Sequence, residues 1–224
     1  MNAPPPPLPS RGFQELLPPD QWDDLIRTGP EAVARSGDAL LSQGGRSGVV
    51  YALRTGRVRV VHTEPDGNEA LIAVRGPGDL LGEYAQQDHG EHMASVWALE
   101  ACEVTRLTTA QFKSFVQRRR CEALLQRYIL SKIRQGGRRI WHAANLQTEQ
   151  RMALLFLEVI GAAPVGAAPT VPMTQAQVAA SLGVALSSVT RILAQWKEND
   201  VIRTVPAPLH VLDMATLARH ANLR

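Results

Sequence analysis

Two helical stretches joined by a short turn that begins with a glycine constrain the fold of this chain more than any other feature. Thr174 is placed to cap a helix over 175–182, Gly183 supplies a tight turn, and a second helix is predicted over 186–199. Side chains suited to a close helix crossing recur at Ala179, Val184, Val189 and Ile192. This spacing is typical of a helix-turn-helix, in which a small residue and a turn glycine let the two helices pack closely.

The start of the second helix carries the side chains that would contact DNA. The second helix of such a module enters the major groove, where arginine can bond guanine twice and hydroxyl groups can reach bases or phosphates. The predicted DNA contacts are Thr174, Gln175, Leu186, Ser187, Ser188, Thr190 and Arg191. Strands over 201–205 and 209–212, joined through Pro206-Ala207-Pro208, predict a wing. The alternative is an ordinary αα-hairpin in a structural domain.

The N-terminal half of the chain has the sequence pattern of a small β domain. Between about 38 and 107, short apolar runs alternate with glycine-bearing turns, and the segment Pro65-Asp66-Gly67-Asn68 is a strong hairpin signal. The apolar runs cover 49–53, 58–61, 70–74 and 96–99. This spacing predicts a compact antiparallel roll or barrel. A short helix is predicted over 20–26, after a leader that contains four consecutive prolines.

A long helix is predicted over about 110–147, where glycine and proline nearly vanish. Its apolar seam follows a 4-3-4-3 spacing through Ile129, Ile133, Gly136, Ile140 and Ala143. Such a seam is typical of a coiled coil, so we expect this helix to dimerise. The pair Gly136-Gly137 either lets two helices approach closely or marks a kink. The alternative is a helix packed on its own domain.

Charge and motif content exclude several classes of protein. Residues 106–151 contain 11 basic and 2 acidic residues, so this block either approaches a polyanion or forms a solvated helix face. Cys102 and Cys121 fit neither a metal site nor a disulfide framework, which favours the cytoplasm. No apolar run reaches the roughly 18 residues of a membrane span. We find no catalytic triad, phosphate-binding loop or zinc-protease motif, and therefore expect no enzymatic activity.

These segments together resemble the family of the cyclic AMP receptor protein and the fumarate–nitrate reduction regulator (CRP/FNR). YALRTGRVRVVHTEPDGNEALIAVRGPGDLLGE (51–83) looks like the family's nucleotide-binding domain, ACEVTRL (101–107) like its last strand, and TQAQVAASLGVALSSVTRIL (174–193) like its DNA-reading module. The resemblance implies an α+β protein. Its expected parts are a disordered proline-rich leader (1–19), a cyclic-nucleotide-binding-like β-roll (20–110), a long dimerisation helix (111–147) and a winged helix-turn-helix (148–224). It also implies a homodimeric transcription regulator whose partners are double-stranded DNA and RNA polymerase.

The ligand pocket departs from the family pattern. In members that bind a cyclic nucleotide, a Gly-Glu pair precedes an arginine and a hydroxyl residue that hold the phosphate, and hydroxyl residues on the long helix contact the purine. Gly82 and Glu83 match the pair. His92 and Met93 occupy the phosphate positions, and Gly136 and Gly137 occupy the purine positions. Methionine donates no hydrogen bond, and neutral histidine carries no charge. We therefore predict a degenerate pocket that does not bind cyclic AMP in the usual way.

Other effectors stay open at this point. A different cyclic nucleotide or dinucleotide could bind in a reshaped pocket, with arginines at 118–120, 134 and 138–139 as candidate anion partners. A haem sensor with His89 and His92 is a further alternative, although exposed loop histidines are the favoured explanation of these two residues. No cofactor or metal is assigned. The DNA-reading helix also departs from the pattern, since Leu186 stands where relatives have an arginine and can contact only thymine methyl groups.

Overall fold

The computed structural model describes residues 12–46, 48–88, 90–204 and 208–221. These residues form two compact units, and the boundary between them falls between His142 and Ala143. The first unit is an antiparallel roll with accompanying helices, and the second is a helical domain with a small sheet. The predicted α+β class is confirmed.

The roll is built from eight strands and is bracketed by helices. In chain order its elements are α1 (Pro19–Arg27), β1 (Glu31–Ala34), β2 (Ala39–Leu41), β3 (Val49–Thr55), β4 (Val58–Thr63), β5 (Glu69–Arg75), β6 (Leu80–Leu81), α2 (Ala85–Asp88), β7 (Ser95–Ala98), β8 (Cys102–Thr108), α3 (Thr109–Arg119) and α4 (Glu122–Asn145). The strands form two four-stranded sheets, in the orders β1-β8-β3-β6 and β2-β7-β4-β5. Every pairing is antiparallel. The predicted hairpin is confirmed, since β4 and β5 pair on either side of Pro65–Asn68.

The chain before α1 is part of the roll and corrects one expectation. A disordered leader was expected over 1–19, but Phe13 and Leu17 are buried in the core, and the amide of Gln14 donates to the carbonyl of Gly78 at 3.0 Å. Two apolar side chains that pack against a sheet fix this short segment more strongly than its proline content loosens it. The four prolines, Pro4 to Pro7, lie outside the described residues.

The helical segment after the roll is broken, which corrects the single helix expected over 111–147. α3 ends at Arg119, the next residue Arg120 has a left-handed backbone with φ of 50°, and α4 begins at Glu122. Cys121 follows the break and is buried in the core of the roll. The left-handed residue terminates α3 because its amide folds back onto the carbonyls of Val116 and Gln117. α4 then runs without interruption through Gly136 and Gly137.

The second unit contains the predicted helix-turn-helix and two elements that were not predicted. Its elements are α5 (Thr148–Gly161), β9 (Thr170–Val171), α6 (Gln175–Leu182), α7 (Leu186–Glu198), β10 (Ile202–Thr204), β11 (Leu209–Val211) and α8 (Met214–His220). The wing is confirmed as β10 paired with β11, and β9 adds a third strand in the order β10-β11-β9. The strand β9 and the helix α8 are the additions. Residues 205–207 of the wing tip lie outside the described residues.

The second unit has its own apolar core. Met152, Leu155, Phe156 and Val159 of α5 are all buried. Within the described chain, no single helix is long and apolar enough for a membrane span. The helices α6 and α7 have the required length and apolar character only when they are taken together, and they are bent by 118° relative to each other. That bend is within the range of a helix-turn-helix crossing.

Candidate functional site

The two helices α6 and α7 are held by local signals. The hydroxyl of Thr174 accepts a hydrogen bond from the amide of Gln177 at 3.1 Å, and the side-chain oxygen of Gln177 accepts from the amide of Thr174 at 2.8 Å. This reciprocal capping box satisfies two backbone donors at the start of α6. Gly183 ends α6 with φ of 62°, a left-handed conformation that glycine adopts without strain. The predicted cap and turn are confirmed.

Six of the seven predicted DNA-contacting residues are exposed at the starts of α6 and α7. Leu186, Ser187 and Arg191 are exposed, and Ser188 is half-buried. The hydroxyl of Thr190 donates to the side-chain oxygen of Gln175 at 2.9 Å, which ties the two helices together on this surface. On the opposite face of α7 the buried side chains are Val189, Ile192, Leu193 and Trp196. The structure therefore joins Thr190 of α7 to Gln175 of α6, and the contacts of the seven residues with DNA remain a prediction.

The first turn of α7 has no side-chain cap. Its N-cap residue is Ala185, which makes no side-chain hydrogen bond to the helix amides. Free amides and the positive end of the helix dipole form a favourable position for a phosphate. This feature suits a helix that begins against a nucleic-acid backbone.

A partly buried network supports α7 from the side opposite its exposed face. The indole nitrogen of Trp196 donates to the carboxylate of Glu149 at 2.8 Å, and the imidazole of His220 lies 3.1 Å from the same carboxylate. The rings of Trp196 and His220 stack with their centroids 5.4 Å apart. Helices α5, α7 and α8 are thereby joined. Sequence reasoning missed α8, and the aspartate at position 213, which caps it through the amide of Thr216, was the available signal.

The roll contains a second group of functional interest, five buried side chains that we call the buried polar cluster. Its members are Arg75, Asp79, Glu83, Tyr128 and Lys132. The ammonium group of Lys132 lies 2.6 Å from Oδ1 of Asp79, and the hydroxyl of Tyr128 donates to the same oxygen at 2.9 Å. The amide of Gly76 donates to Oδ2 of Asp79 at 3.1 Å. The cluster links the turn between β5 and β6 to the middle of α4.

The cluster has unusual protonation properties. Burial raises the pKa of Glu83 to about 7, although the positive charge of Arg75 acts in the opposite direction. Burial has the opposite effect on the pKa of Lys132, which it lowers, because it disfavours the charged ammonium group. The contact of Lys132 with Asp79 opposes that change. A guanidinium nitrogen of Arg75 donates to the side-chain oxygen of Gln135 on α4 at 3.1 Å. The positive charges near Glu83 thus already have partners on neighbouring elements.

The predicted pocket residues separate into two groups. Gly82, Glu83 and His92 lie together: a Cβ on Gly82 would come within 3.2 Å of the His92 ring, and Gly82 has φ of 86°. His92 is buried, and burial lowers the pKa of its imidazole, which leaves it neutral at neutral pH. Met93 points elsewhere, since 54% of its surface is exposed. Gly136 and Gly137 each have open space where a Cβ would stand.

The arginine that belongs to the cluster was not among the predicted anion partners. Arg75 at the end of β5 is buried, whereas the arginines at 118–120, 134 and 138–139 are exposed or half-buried. Arg119 instead pairs with Asp24 at 2.9 Å. No local sequence signal marked Arg75, because its partner Gln135 lies on α4, 60 positions away. His89 lies outside the described residues, and within the described ranges no three histidine, cysteine or carboxylate side chains gather into a metal site.

The seam on α4 is largely exposed within this chain. Ile133 and Ile140 are 58% and 73% exposed, and Ala143 is also exposed. Ile129 is half-buried against the core of the roll, to which Leu125 and Tyr128 belong. The first half of α4 therefore packs on its own roll, as the alternative held, and the second half presents apolar side chains without cover in this chain.

Comparison with family models gives two matches. A cyclic nucleotide-binding domain model matches residues 32–119, and a Crp-like helix-turn-helix domain model matches residues 150–220. The chain is 26% identical over 206 residues to a cyclic AMP receptor protein of Thermus thermophilus, across 90% of this chain and 92% of the relative. It is 23% identical over 191 residues to a CRP-like cAMP-activated global transcriptional regulator of Mycobacterium tuberculosis, across 83% and 85%.

Solved structures share the fold. A CRP-family transcriptional regulator from Thermus thermophilus matches with a TM-score of 0.73 and 22% identity, over 85% of this chain and 96% of that one. The c-di-GMP-responsive global regulator of Xanthomonas campestris matches with a TM-score of 0.69 and 12% identity, over 88% and 100%. These likenesses cover the roll and the helix-turn-helix alike.

Proposed function

We propose, from the premise that this chain belongs to the CRP/FNR family of transcription regulators, that it acts as a homodimeric, sequence-specific DNA-binding regulator. The observation that carries this proposal is the exposed surface formed by the starts of α6 and α7, with Arg191 and three hydroxyl residues directed away from the core. The proposal assigns the protein no catalytic step. It places the protein in the cytoplasm, where promoter DNA and RNA polymerase are its partners.

The DNA-reading residues have complementary chemistry. Arg191 is the candidate for base readout, because a guanidinium can bond guanine through two parallel hydrogen bonds. The uncapped amides at the start of α7, together with Ser187 and Ser188, suit phosphate oxygens. Leu186, which is exposed at the first position of α7, can contact a thymine methyl group. A half-site that pairs a guanine contact with a nearby thymine would fit this surface.

The seam on α4 supports the dimer. Apolar side chains as exposed as Ile133 and Ile140, at coiled-coil spacing, favour a partner helix that removes them from water. We expect the double variant Ile133→Glu/Ile140→Glu to sediment as a monomer. Arg134→Glu is the matched control, since it lowers the net charge by the same two units at an exposed position away from the seam. A double variant that sediments like the wild type would refute the proposed interface.

The proposed regulator does not respond to cyclic AMP in the usual way. A cyclic phosphate is held most strongly by a positively charged side chain with several donors, but neutral His92 offers a single N–H donor, and Met93, which is 54% exposed, offers none. Glu83, with its pKa near 7, is only partly ionised at neutral pH and is surrounded by charges that already have partners. Titration calorimetry of the purified protein with cyclic AMP is expected to show no binding at micromolar concentrations. Micromolar affinity would overturn this part of the proposal.

A different anionic effector is the second candidate. Arg75 is a buried arginine near Glu83, on a strand of the roll, and could replace the missing phosphate clamp if it released Gln135. The c-di-GMP-responsive regulator of Xanthomonas campestris shares this fold. Titration calorimetry with c-di-GMP separates a regulator without a nucleotide ligand from one with a different anionic effector. Only the second predicts binding of c-di-GMP, and it predicts that Arg75→Gln abolishes this binding.

The DNA proposal is tested by selecting genomic fragments with the purified protein and then measuring fluorescence anisotropy on the enriched sequence. We expect two half-sites about one helical turn apart, roughly 10 base pairs, as a two-fold dimer requires. Affinity for the selected DNA and for scrambled DNA should both fall steeply with added salt, because both complexes contain phosphate contacts. If base contacts add to the phosphate contacts, the selected DNA should lose a smaller part of its affinity than the scrambled DNA does. Failure to enrich any sequence would contradict the proposal.

A further inference from the structure

The first turn of α5 contacts both helices of the helix-turn-helix. The carboxylate of Glu149 accepts a hydrogen bond from the indole nitrogen of Trp196 on α7 at 2.8 Å. Two residues later, the guanidinium of Arg151 donates to the carbonyl of Leu182, the last residue of α6. Both side chains are half-buried, and neither belongs to the seven predicted DNA contacts. One turn of α5 therefore holds α6 at its end and α7 at its buried face.

The contact between Glu149 and Trp196 restricts the orientation of α7. Trp196 is fully buried, and its ring packs edge-on against Phe156 with the centroids 5.6 Å apart and stacks on His220 from another side. Such packing contacts tolerate a different side chain of similar size after small shifts of the helix. A hydrogen bond is more restrictive, because the indole N–H can only donate and does so in one direction. The bond to Glu149 therefore selects one orientation among those that packing allows.

The contact between Arg151 and Leu182 holds the end of α6. The last four carbonyls of a helix have no partner within that helix, and a positive side chain near them also interacts favourably with the helix dipole. The amide of Gly183 folds back onto the carbonyls of Ala179 and Ala180, and Arg151 bonds the carbonyl of Leu182. Because the turn to α7 begins at Gly183, the position of this carbonyl influences where α7 begins.

Recognition of a base depends on the angle at which α7 presents Arg191. A side-chain tip lies about 6 Å from the axis of a helix, so a rotation of about 10° moves it by about 1 Å. Groups that bind specifically must be held within roughly 0.5 Å and 10–20° of the productive geometry by residues that are themselves locked in place. Arg191 is exposed on α7, so its placement depends on the contacts that hold this helix.

We propose that Glu149 and Arg151 are positioning residues for DNA recognition. Glu149 acts through Trp196 on α7, and Arg151 acts through the last carbonyl of α6. This inference rests on the proposed DNA-binding function and extends it to two side chains that do not touch DNA. Their removal should lower the ratio of the affinities for selected and scrambled DNA, because phosphate contacts are independent of sequence and base contacts are not.

Glu149→Ala is the first test, with fluorescence anisotropy on selected and scrambled DNA at a temperature at which unfolding scans show every variant to be folded. We expect affinity for the selected DNA to fall by about fivefold to tenfold, which is part of the contribution of one base contact, and affinity for scrambled DNA to change less than about twofold. Glu149→Gln removes the same charge but keeps an oxygen that accepts from Trp196, so it should restore most of the ratio. Val159→Ala is the control for core stability, because Val159 is buried in the same helix about 15 Å from Glu149. It should lower the unfolding midpoint and leave the ratio unchanged.

Two further variants reach the same contacts from other residues. Trp196→Phe keeps an aromatic ring but lacks the indole N–H, so it should lower the ratio as Glu149→Ala does, and the double variant should lower it little further. Arg151→Leu should also lower the ratio, whereas Arg151→Lys, which keeps the positive charge and a donor, should retain most of it. Arg151→Leu provides the test on its own if Glu149→Ala does not fold.

The inference is overturned if folded Glu149→Ala or Arg151→Leu keeps the wild-type ratio, if Glu149→Gln does not restore it, or if Val159→Ala lowers it equally. The last result would assign the effect to the stability of the core and not to these two contacts. A wild-type protein that enriches no DNA sequence would instead refute the proposed function, and this inference with it. The behaviour of the wild type thus distinguishes failure of the function from failure of the positioning role.

Discussion

The DNA-reading surface and the buried polar cluster differ in the sequence separation and the burial of their paired polar side chains. At the start of α6, Thr174 and Gln177 bond each other across three residues of sequence and remain near solvent. In the roll, Tyr128 bonds Asp79 across 49 residues, and Lys132 reaches the same carboxylate from α4. Local pairs tolerate the loss of a partner because water replaces it, whereas a buried charge that loses its partner has no replacement. The two regions should therefore respond very differently to substitution.

Lys132→Met gives the largest expected effect. It leaves the carboxylate of Asp79 buried and without its charged partner, so we expect a loss of about 3–5 kcal/mol in the free energy of unfolding, measured with urea. The control Arg134→Met, at an exposed position of the same helix, should change stability by less than about 0.5 kcal/mol. The double variant Asp79→Asn/Lys132→Met removes both charges and should recover part of the loss. A loss below about 1 kcal/mol for Lys132→Met would show that the ion pair is not needed for stability.

Glu83→Gln tests the same cluster through pH. The pKa of Glu83 is raised from 4.5 to about 7 in the folded chain, so the folded state holds its proton more tightly than the unfolded state. Stability from this group is present below pH 4.5 and is lost as pH rises toward 7, by up to about 3 kcal/mol. Relative to the wild type, Glu83→Gln should thus become more stable between pH 5 and pH 8. Parallel urea-unfolding curves for the two proteins over this range would contradict the buried-acid interpretation.

Arg191→Ala tests the contribution of one exposed side chain on the DNA-reading surface. Removing this exposed side chain should change the stability of the fold little, but it should weaken binding to the selected DNA by about 1–3 kcal/mol, or roughly fivefold to 150-fold. Fluorescence anisotropy on selected and scrambled DNA separates base readout from phosphate attraction, since only the former is specific. Arg219→Ala, an exposed arginine on α8, is the control. Equal losses for the two variants would remove Arg191 from the proposed readout.

What the sequence could predict follows the same division. The cap at Thr174, the turn at Gly183 and the hairpin at Pro65–Asn68 depend on residues within a few positions of one another, and these were predicted. The break at Arg120 was missed, because an arginine in the left-handed conformation has no local signal that distinguishes it from an arginine within a helix.

Long-range pairing was the other source of error. Arg75 and Asp79 have no neighbour in sequence that explains their burial, and their partners Gln135, Tyr128 and Lys132 lie on α4. The resemblance to the family identified Gly82, Glu83 and His92 as neighbours, which the structure brings together. It could not predict the ion pair beside them, since residues about fifty positions apart meet only after the roll has formed.

The smallest expected effect comes from a feature that both units share. Thr108 caps α3 in the roll, and Thr174 caps α6, each through a capping box with a glutamine three residues later. Replacing either threonine with alanine should cost about 1 kcal/mol in the free energy of unfolding, because one backbone donor loses its acceptor and both sites are open to water. Serine at either position should retain most of the stability, since it keeps the hydroxyl. The contradicting result would be a loss in the free energy of unfolding several times larger for Thr108→Ala than for Thr174→Ala, measured with urea. The unit in which a polar pair lies, and not its burial, would then determine its contribution to stability.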